Sequence, residues 1–267
     1  MSEINMNSVV GHTDIAFVVL DSLRYDVATK EFNAGRTPNL AKLLPQGWEK
    51  RHSPGSFTYA AHSAFFAGFL PTPADSKASP ERLFASKFHG SETTGCNTFA
   101  FPEADLVSAL HTQDYHSICI GGVGFFNKQS ALSRVFPDLF DESHWSEAMG
   151  VTGKDSTKKQ FSLARELLWN RQPDQRTFLF INISSIHQPN CHYLDEEEDT
   201  LDTHAAALRY VDEFIPHLQE TLAKRGAFLI LCSDHGTLYG EDGFTGHRIG
   251  HEAVYTVPYA HLLIDSV

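Results

Sequence analysis

Cysteine is scarce and scattered. Cys96, Cys119, Cys191 and Cys232 show no C-x-x-C spacing, which argues against a disulfide framework or a structural zinc knuckle. Long apolar runs are also missing. No segment approaches the roughly 18 apolar residues of a spanning helix, and residues 1–14 are polar, without the apolar centre of a signal peptide. Basic side chains are in deficit, 21 Lys and Arg against 33 Asp and Glu, giving a formal net charge of -12. A surface of that sign is unsuited to neutralising nucleic-acid phosphates. A small phosphate-bearing substrate is still compatible, because a bound divalent ion inverts the local field. Internal repeats and linkers are absent as well. The expectation is a single domain over residues 1–267, cytoplasmic, with no nucleic-acid or membrane partner and with a homo-oligomer left open.

What the chain does have is alternation. Ile15–Leu20 is a short, continuous, β-branched run of the kind that forms a buried parallel strand. Thr37-Pro38 has the form of an N-cap with Pro at N1, opening a short helix. Small and apolar residues from Ala60 to Phe69 predict a second helix, and the Ser-, Thr-, Pro- and Gly-rich stretch from Pro71 to Cys96 a loop or lid. Beyond it the pattern predicts a helix over Glu103–Leu110 and a strand over Tyr115–Gly121, then a helix over Ser156–Asn170 and a strand over Thr177–Ile183. A long amphipathic helix over Thr200–Arg225, capped by Gly226, leads to strands at Ala227–Cys232 and Val257–Ile264. Such alternation predicts an α/β fold, a three-layer α/β/α sandwich around a mostly parallel central sheet.

Two of these strands end abruptly in carboxylates, the first in Asp21 and the penultimate in Ser233-Asp234-His235-Gly236. Ligands of open α/β sheets bind beyond the carboxyl ends of strands, so Asp21, Asp234 and His235 are candidate metal ligands. Thr58 lies just before the helix predicted from Ala60. Read alone, it is an ordinary N-cap. Beside a metal site, a hydroxyl at a helix N-terminus is a candidate nucleophile, favoured by free backbone N–H groups and by a coordinated ion.

Taken together, Leu20-Asp21-Ser22-Leu23-Arg24, Thr37-Pro38-Asn39-Leu40, the spacing from Thr58 to Gly68 and Pro71, Tyr210-Val211-Asp212 and Ser233-Asp234-His235-Gly236 resemble the alkaline phosphatase/sulfatase superfamily. The matches are collinear over residues 15–260, and the chain resembles compact stand-alone sulfatase-like hydrolases of bacteria. The resemblance implies that Asp21, Thr58, Asp234 and His235 hold one divalent metal, with Thr58 both ligand and nucleophile. Sulfatases carry at that position a Cys or Ser that becomes formylglycine; Thr58 followed by Tyr-Ala-Ala-His points instead to a phosphorylated-enzyme intermediate. His62 falls where the phosphodiesterase branch also has His. For a second ion or the substrate, the resemblance offers His247 and His251, with His251 favoured by its distance to Val257-Pro258, together with His187 and His192. Arg24 is either an anion-binding fork or a partner of Asp26.

The implied activity is a metal-dependent hydrolase of phosphate or phosphonate esters, acting on a small phosphoester or a modified peptide. A phospho-group transferase, a sulfatase or an inactive metal-binding protein of the same fold are the alternatives. The Asp/His donor set suits Zn2+, as one or two ions, with Mn2+ or Mg2+ as substitutes. The acidic run Asp195–Asp199 lacks calcium-loop spacing, and Gly121-Gly122-Val123-Gly124 reads as a tight turn rather than a phosphate cradle.

Overall fold

The computed structural model describes residues 4–68, 72–73, 82–90 and 94–267. Every residue of β1 (Asp14–Leu20), of β6 (Thr177–Ile183) and of β7 (Ala227–Cys232) is buried. Burial at every position, rather than at alternate ones, is what strands covered by helices on both faces require. The remaining strands of the sheet are β2 (Glu49–His52), β3 (Thr72–Pro73), β4 (His116–Ile120), β5 (Glu142–His144) and β8 (Thr256–Ile264). They form one eight-stranded sheet in the order β3-β2-β8-β7-β1-β6-β4-β5. The five strands from β7 to β5 run parallel, and β8 returns antiparallel to β7.

One face packs beneath α3 (Thr58–Phe66) and α4 (Leu106–His111), with Phe17, Phe65, Phe126, Phe178 and Phe180 among its core residues. The other lies under α1 (Tyr25–Asn33), α2 (Pro38–Leu43), α5 (Ser156–Trp169) and α6 (Leu201–Ala223). The predicted three-layer α/β/α arrangement is therefore present. Thr200 caps α6 through a reciprocal box with Thr203, and Gly226 closes it at φ 76°, donating its N–H to Leu222.

Two local expectations change. Pro38 does open α2, but the side chain of Thr37 makes no cap. Asp212 of α6 takes over instead, accepting from the N–H groups of Asn39 at 3.2 Å and Leu40 at 2.7 Å. Thr37-Pro38-Asn39-Leu40 and Asp212 are thus linked in space, the first as the start of a helix and the second as its remote cap. Of the predicted loop or lid over Pro71–Cys96, residues 71, 74–81 and 91–93 lie outside the described residues. Its described part includes Phe84–Ser86, a short strand paired in parallel with Phe99–Phe101.

Candidate metal and nucleophile site

Register delivers the site. Val19 of β1 lies opposite Cys232 of β7 and Asn182 of β6, so the strand ends carrying Asp21 and Asp234 emerge side by side. Asp21, Asp234 and His235 each offer a ligand atom within 4.8 Å of the others, and all three are fully buried. The turn is tight enough to exclude any side chain at Gly236, where a Cβ would stand 1.9 Å from the carbonyl oxygen of Ala253.

α3 begins at Thr58 itself, two residues earlier than predicted, with Phe57 at the cap position making no side-chain cap. Thr58 therefore does not serve as a cap. Its Oγ1 lies 3.3 Å from Asp21 Oδ2 and 3.3 Å from His235 Nε2. His235 Nδ1 faces the carbonyl of Gly236 at 2.8 Å, which fixes the tautomer with the proton on Nδ1 and turns a bare Nε2 to the carboxylates. Asp234 Oδ1 accepts from the N–H groups of Ser22 and His235, and Ser53 Oγ donates to the Asp234 carbonyl.

The electrostatics are those of a site short of positive charge. Burial pushes Asp234 well above the usual carboxylate range, and the charge of Asp21 pushes it the same way. Burial acts on Asp21 too, but the neighbouring imidazoles of His187 and His235 and the Asn182 amide outweigh it and hold that carboxyl low. Asp234 Oδ2 is buried with no hydrogen-bond partner among the described residues, although it sits 3.5 Å from His235 Nε2. An orphaned buried carboxylate oxygen, a bare imidazole nitrogen and a second carboxylate form a donor set that fits a divalent cation.

The other predicted residues separate into near and far. His247 reaches the site, its ring 4.5 Å from that of His235 and 5.4 Å from that of His187. Burial and then the two neighbouring histidines depress His247 to about 4. His62 lies behind Thr58, its Nδ1 donating to the Thr58 carbonyl at 2.8 Å and its ring among Phe65, Phe126 and Phe180. His251, favoured from its distance to Val257-Pro258, is not in the cluster. Its Nδ1 accepts from Ala253 N at 3.0 Å and its Nε2 faces Asp242 at 3.2 Å, so it caps the turn Glu252–Tyr255. His192 is also apart, its ring tilted against that of Tyr193 with the centroids 4.2 Å apart. Arg24 is buried and committed to Asp26 and Glu241, the second of the two roles foreseen for it.

Sequence reasoning missed three contributors. Asn182 donates from Nδ2 to Asp21 Oδ2 at 2.9 Å and accepts at Oδ1 from Val123 N at 3.0 Å. Ser22 adopts φ 66° and donates from Oγ to Asp21 Oδ1 at 2.9 Å. Arg248 is seated on Phe57. For Asn182 a signal was available: it is a lone amide in the otherwise apolar run from Phe178 to Ile183.

The sulfatase family model matches residues 13–260. The chain belongs to the sulfatase family. No curated protein matches this sulfatase-family chain in sequence, but solved structures share its fold. The C-terminal periplasmic domain of EcEptC from Escherichia coli, in complex with Zn, is 15% identical with a TM-score of 0.60, covering 95% of this chain and 73% of that one. The soluble domain of lipooligosaccharide phosphoethanolamine transferase A from Neisseria meningitidis is 17% identical with a TM-score of 0.60, over 94% of this chain and 77% of that one. Lipoteichoic acid synthase LtaP from Listeria monocytogenes is 15% identical with a TM-score of 0.58, over 97% and 66% respectively. A protein in the alkaline phosphatase superfamily from Vibrio parahaemolyticus shares the fold as well, 16% identical with a TM-score of 0.55 over 95% of this chain and 60% of that one. No helix among the described residues is long and apolar enough to cross a membrane.

Proposed function

We propose that this sulfatase-family chain is a metal-dependent hydrolase of phosphate or phosphonate esters that uses Thr58 as its nucleophile. The observation that carries the reading is the position of Thr58 Oγ1, equidistant from Asp21 and His235 at the first turn of α3. A hydroxyl that caps its own helix would point away from both.

Asp21, Asp234, His235 and Thr58 are the residues that would hold the ion. Bound there, a divalent cation, with Zn2+ best suited to the donors and Mn2+ or Mg2+ as substitutes, supplies Lewis acidity that lowers the hydroxyl pKa and offsets phosphoryl charge. The chain supplies the rest. Asp21 Oδ2 accepts the hydrogen bond of Thr58 Oγ1 and orients its lone pairs for in-line attack. The free N–H groups at the start of α3 favour the non-bridging phosphoryl oxygens. A threonyl–phosphorus bond forms as the ester P–O bond breaks, the Thr58 proton passes to Asp21 Oδ2 and on to solvent, and the leaving alkoxide takes a proton from water on the His187/His247 side. Water then cleaves the threonyl phosphate and restores Thr58. The substrate class is a small phosphoester or a phosphorylated or otherwise modified peptide.

A phospho-group transferase is the second reading, favoured by the name of one structural neighbour, a phosphoethanolamine transferase. It differs only in the acceptor of the second step, an alcohol in place of water. A sulfatase is disfavoured because Thr58 cannot become formylglycine. Metal-reconstituted turnover of nitrophenyl phosphate, phosphodiester, phosphonate and sulfate, with Thr58→Ala beside the wild type, tests the proposal. Turnover of a phosphorus ester that vanishes in Thr58→Ala is expected. Sulfate turnover, or phosphorus turnover that survives Thr58→Ala, would overturn it.

A further inference from the structure

We infer that Arg248, seated on Phe57, forms an outer subsite for a second anionic group of the substrate, a carboxylate or a phosphate, beside the group that reacts. The inference rests on the phosphoester reading above and specifies the kind of phosphoester.

Arg248 is tied to the site through both of its neighbours. It follows His247, whose ring lies 4.5 Å from His235. Its guanidinium carbon stands 5.0 Å from the ring centroid of Phe57, the residue that precedes Thr58. Its backbone N–H donates to the Ser56 carbonyl at 2.8 Å, pinning this loop to the approach to α3. Its charge also reaches the imidazoles of His235 and His247, adding to the depression that burial begins.

Two observations mark the side chain as more than a surface cation. First, Arg248 holds φ at 72°, while Gly246, two residues earlier, holds φ at 78°. Glycine adopts that conformation freely, whereas an L side chain there costs on the order of 1 kcal/mol or more. Strain of this kind collects at ligand clamps, where the side chain must be placed. Second, Arg248 makes no ion pair and no side-chain hydrogen bond among the described residues, in a chain of net charge -12. Arg24, Arg36, Arg51 and Arg225 are each paired with a carboxylate. With one guanidinium face on Phe57, the edge donors stay free for bidentate capture of a carboxylate or phosphate. Phe57 also lies 6.4 Å from Phe125, which extends the aromatic wall on which the link between the two anions would rest.

The test is calorimetric binding to Zn2+-reconstituted full-length protein. The ligands are phenylphosphonate, 4-carboxyphenylphosphonate and 1,4-phenylenediphosphonate. The wild type is expected to bind one or both dianionic-ended ligands more tightly than phenylphosphonate, on the order of tenfold. The better of the two identifies the second group. In Arg248→Gly, which relieves the positive φ, the affinity ratio is expected to fall to about one, and Arg248→Lys to keep part of it. Equal affinities in the wild type, or a ratio that survives Arg248→Gly, would overturn the subsite while leaving the phosphoester reading intact. Failure of every phosphonate to bind the wild type would remove that reading and the subsite with it.

Discussion

The amide of Asn182 holds the carboxylate of Asp21, donating from Nδ2 to Oδ2 at 2.9 Å while its own Oδ1 accepts from Val123 N. Gly122 lies close against this amide, since a Cβ there would stand 2.9 Å from Asn182 Oδ1. Asn182 is thus a positioning residue for a metal ligand. Asn182→Leu should destabilise the protein by about 2 kcal/mol, since it orphans the buried N–H of Val123 and takes from Asp21 Oδ2 one of its two donors. It should also weaken zinc binding about 10- to 100-fold, the usual cost of losing an outer partner of a ligand. Urea denaturation and competitive zinc titration measure the two; unchanged zinc affinity would reduce Asn182 to a packing role.

Much of this geometry was legible because it is built from strand ends. Asp21 and Ser233-Asp234-His235-Gly236 announce themselves as apolar runs halted by carboxylates, and the parallel sheet then aligns them. Thr58 was legible as the start of a helix, though its helix begins two residues earlier than the apolar pattern suggests. What stayed hidden depends on loops. His247 and His251 are four apart between glycines, and only the path of Gly240–Tyr255, including positive φ at Gly246 and Arg248, decides which imidazole faces the site. Sequence distance to Val257-Pro258 favoured His251 and was misleading, because that residue is spent as a cap. Asp212 shows the reverse case: a motif pair visible in sequence acquires its reason only when the helix end and its remote cap are seen together.

Asp234 is a stability cost in the absence of cation. Its Oδ2 is buried without a hydrogen-bond partner among the described residues, beside the second buried carboxylate of Asp21. Asp234→Asn removes a charge while keeping the oxygen that serves Ser22 and His235. It is expected to raise stability in EDTA by about 1–2 kcal/mol, relieving the penalty of a buried ionisable carboxyl beside Asp21, and to abolish most of the thermal shift that zinc gives the wild type. Differential scanning fluorimetry with EDTA and with zinc reads both. A variant that melts lower in EDTA would contradict this account of the site.

His204 makes the protein acid-sensitive away from the metal cluster. It is fully buried in α6, accepting from Arg24 N and facing the Tyr239 hydroxyl at 2.9 Å. Burial and then the charge of Arg24 push it down from 6.5 to about 3, although Asp26 and Glu241 oppose this. Above pH 6.5 both folded and unfolded states are neutral at this residue and it contributes no pH dependence. Below that pH the unfolded chain takes up a proton the folded chain refuses, so stability falls as pH falls, by up to about 1.4 kcal/mol per unit. His204→Gln should flatten the slope between pH 6 and pH 4 by about that amount. Parallel urea slopes for the two proteins would refute it.

His247 and His251 offer the sharpest separation of a site group from a structural one. Both are histidines of one loop, both precede the β8 strand, and sequence alone ranks them in the wrong spatial order. His251 Nδ1 caps Ala253 N, so His251→Ala should cost about 1 kcal/mol of stability, as the loss of an N-cap does, and leave the chemistry of a turned-over ester nearly unchanged. His247 makes no capping bond; it stands between His187 and His235, with its basicity depressed to about 4. A neutral imidazole there can accept a proton or a hydrogen bond without adding charge to the site. His247→Ala should therefore change stability by less than about 1 kcal/mol, since it trims a partly exposed ring, and lower kcat on the best phosphorus ester by about 100-fold, the scale of a lost acid–base or positioning group. Measuring Tm and kcat on the two variants side by side decides the matter. The arrangement of the three rings predicts that the columns cross, with stability lost in one variant and turnover in the other. If His251→Ala instead removes turnover while His247→Ala keeps it, the loop closes differently around substrate than it does in this structure.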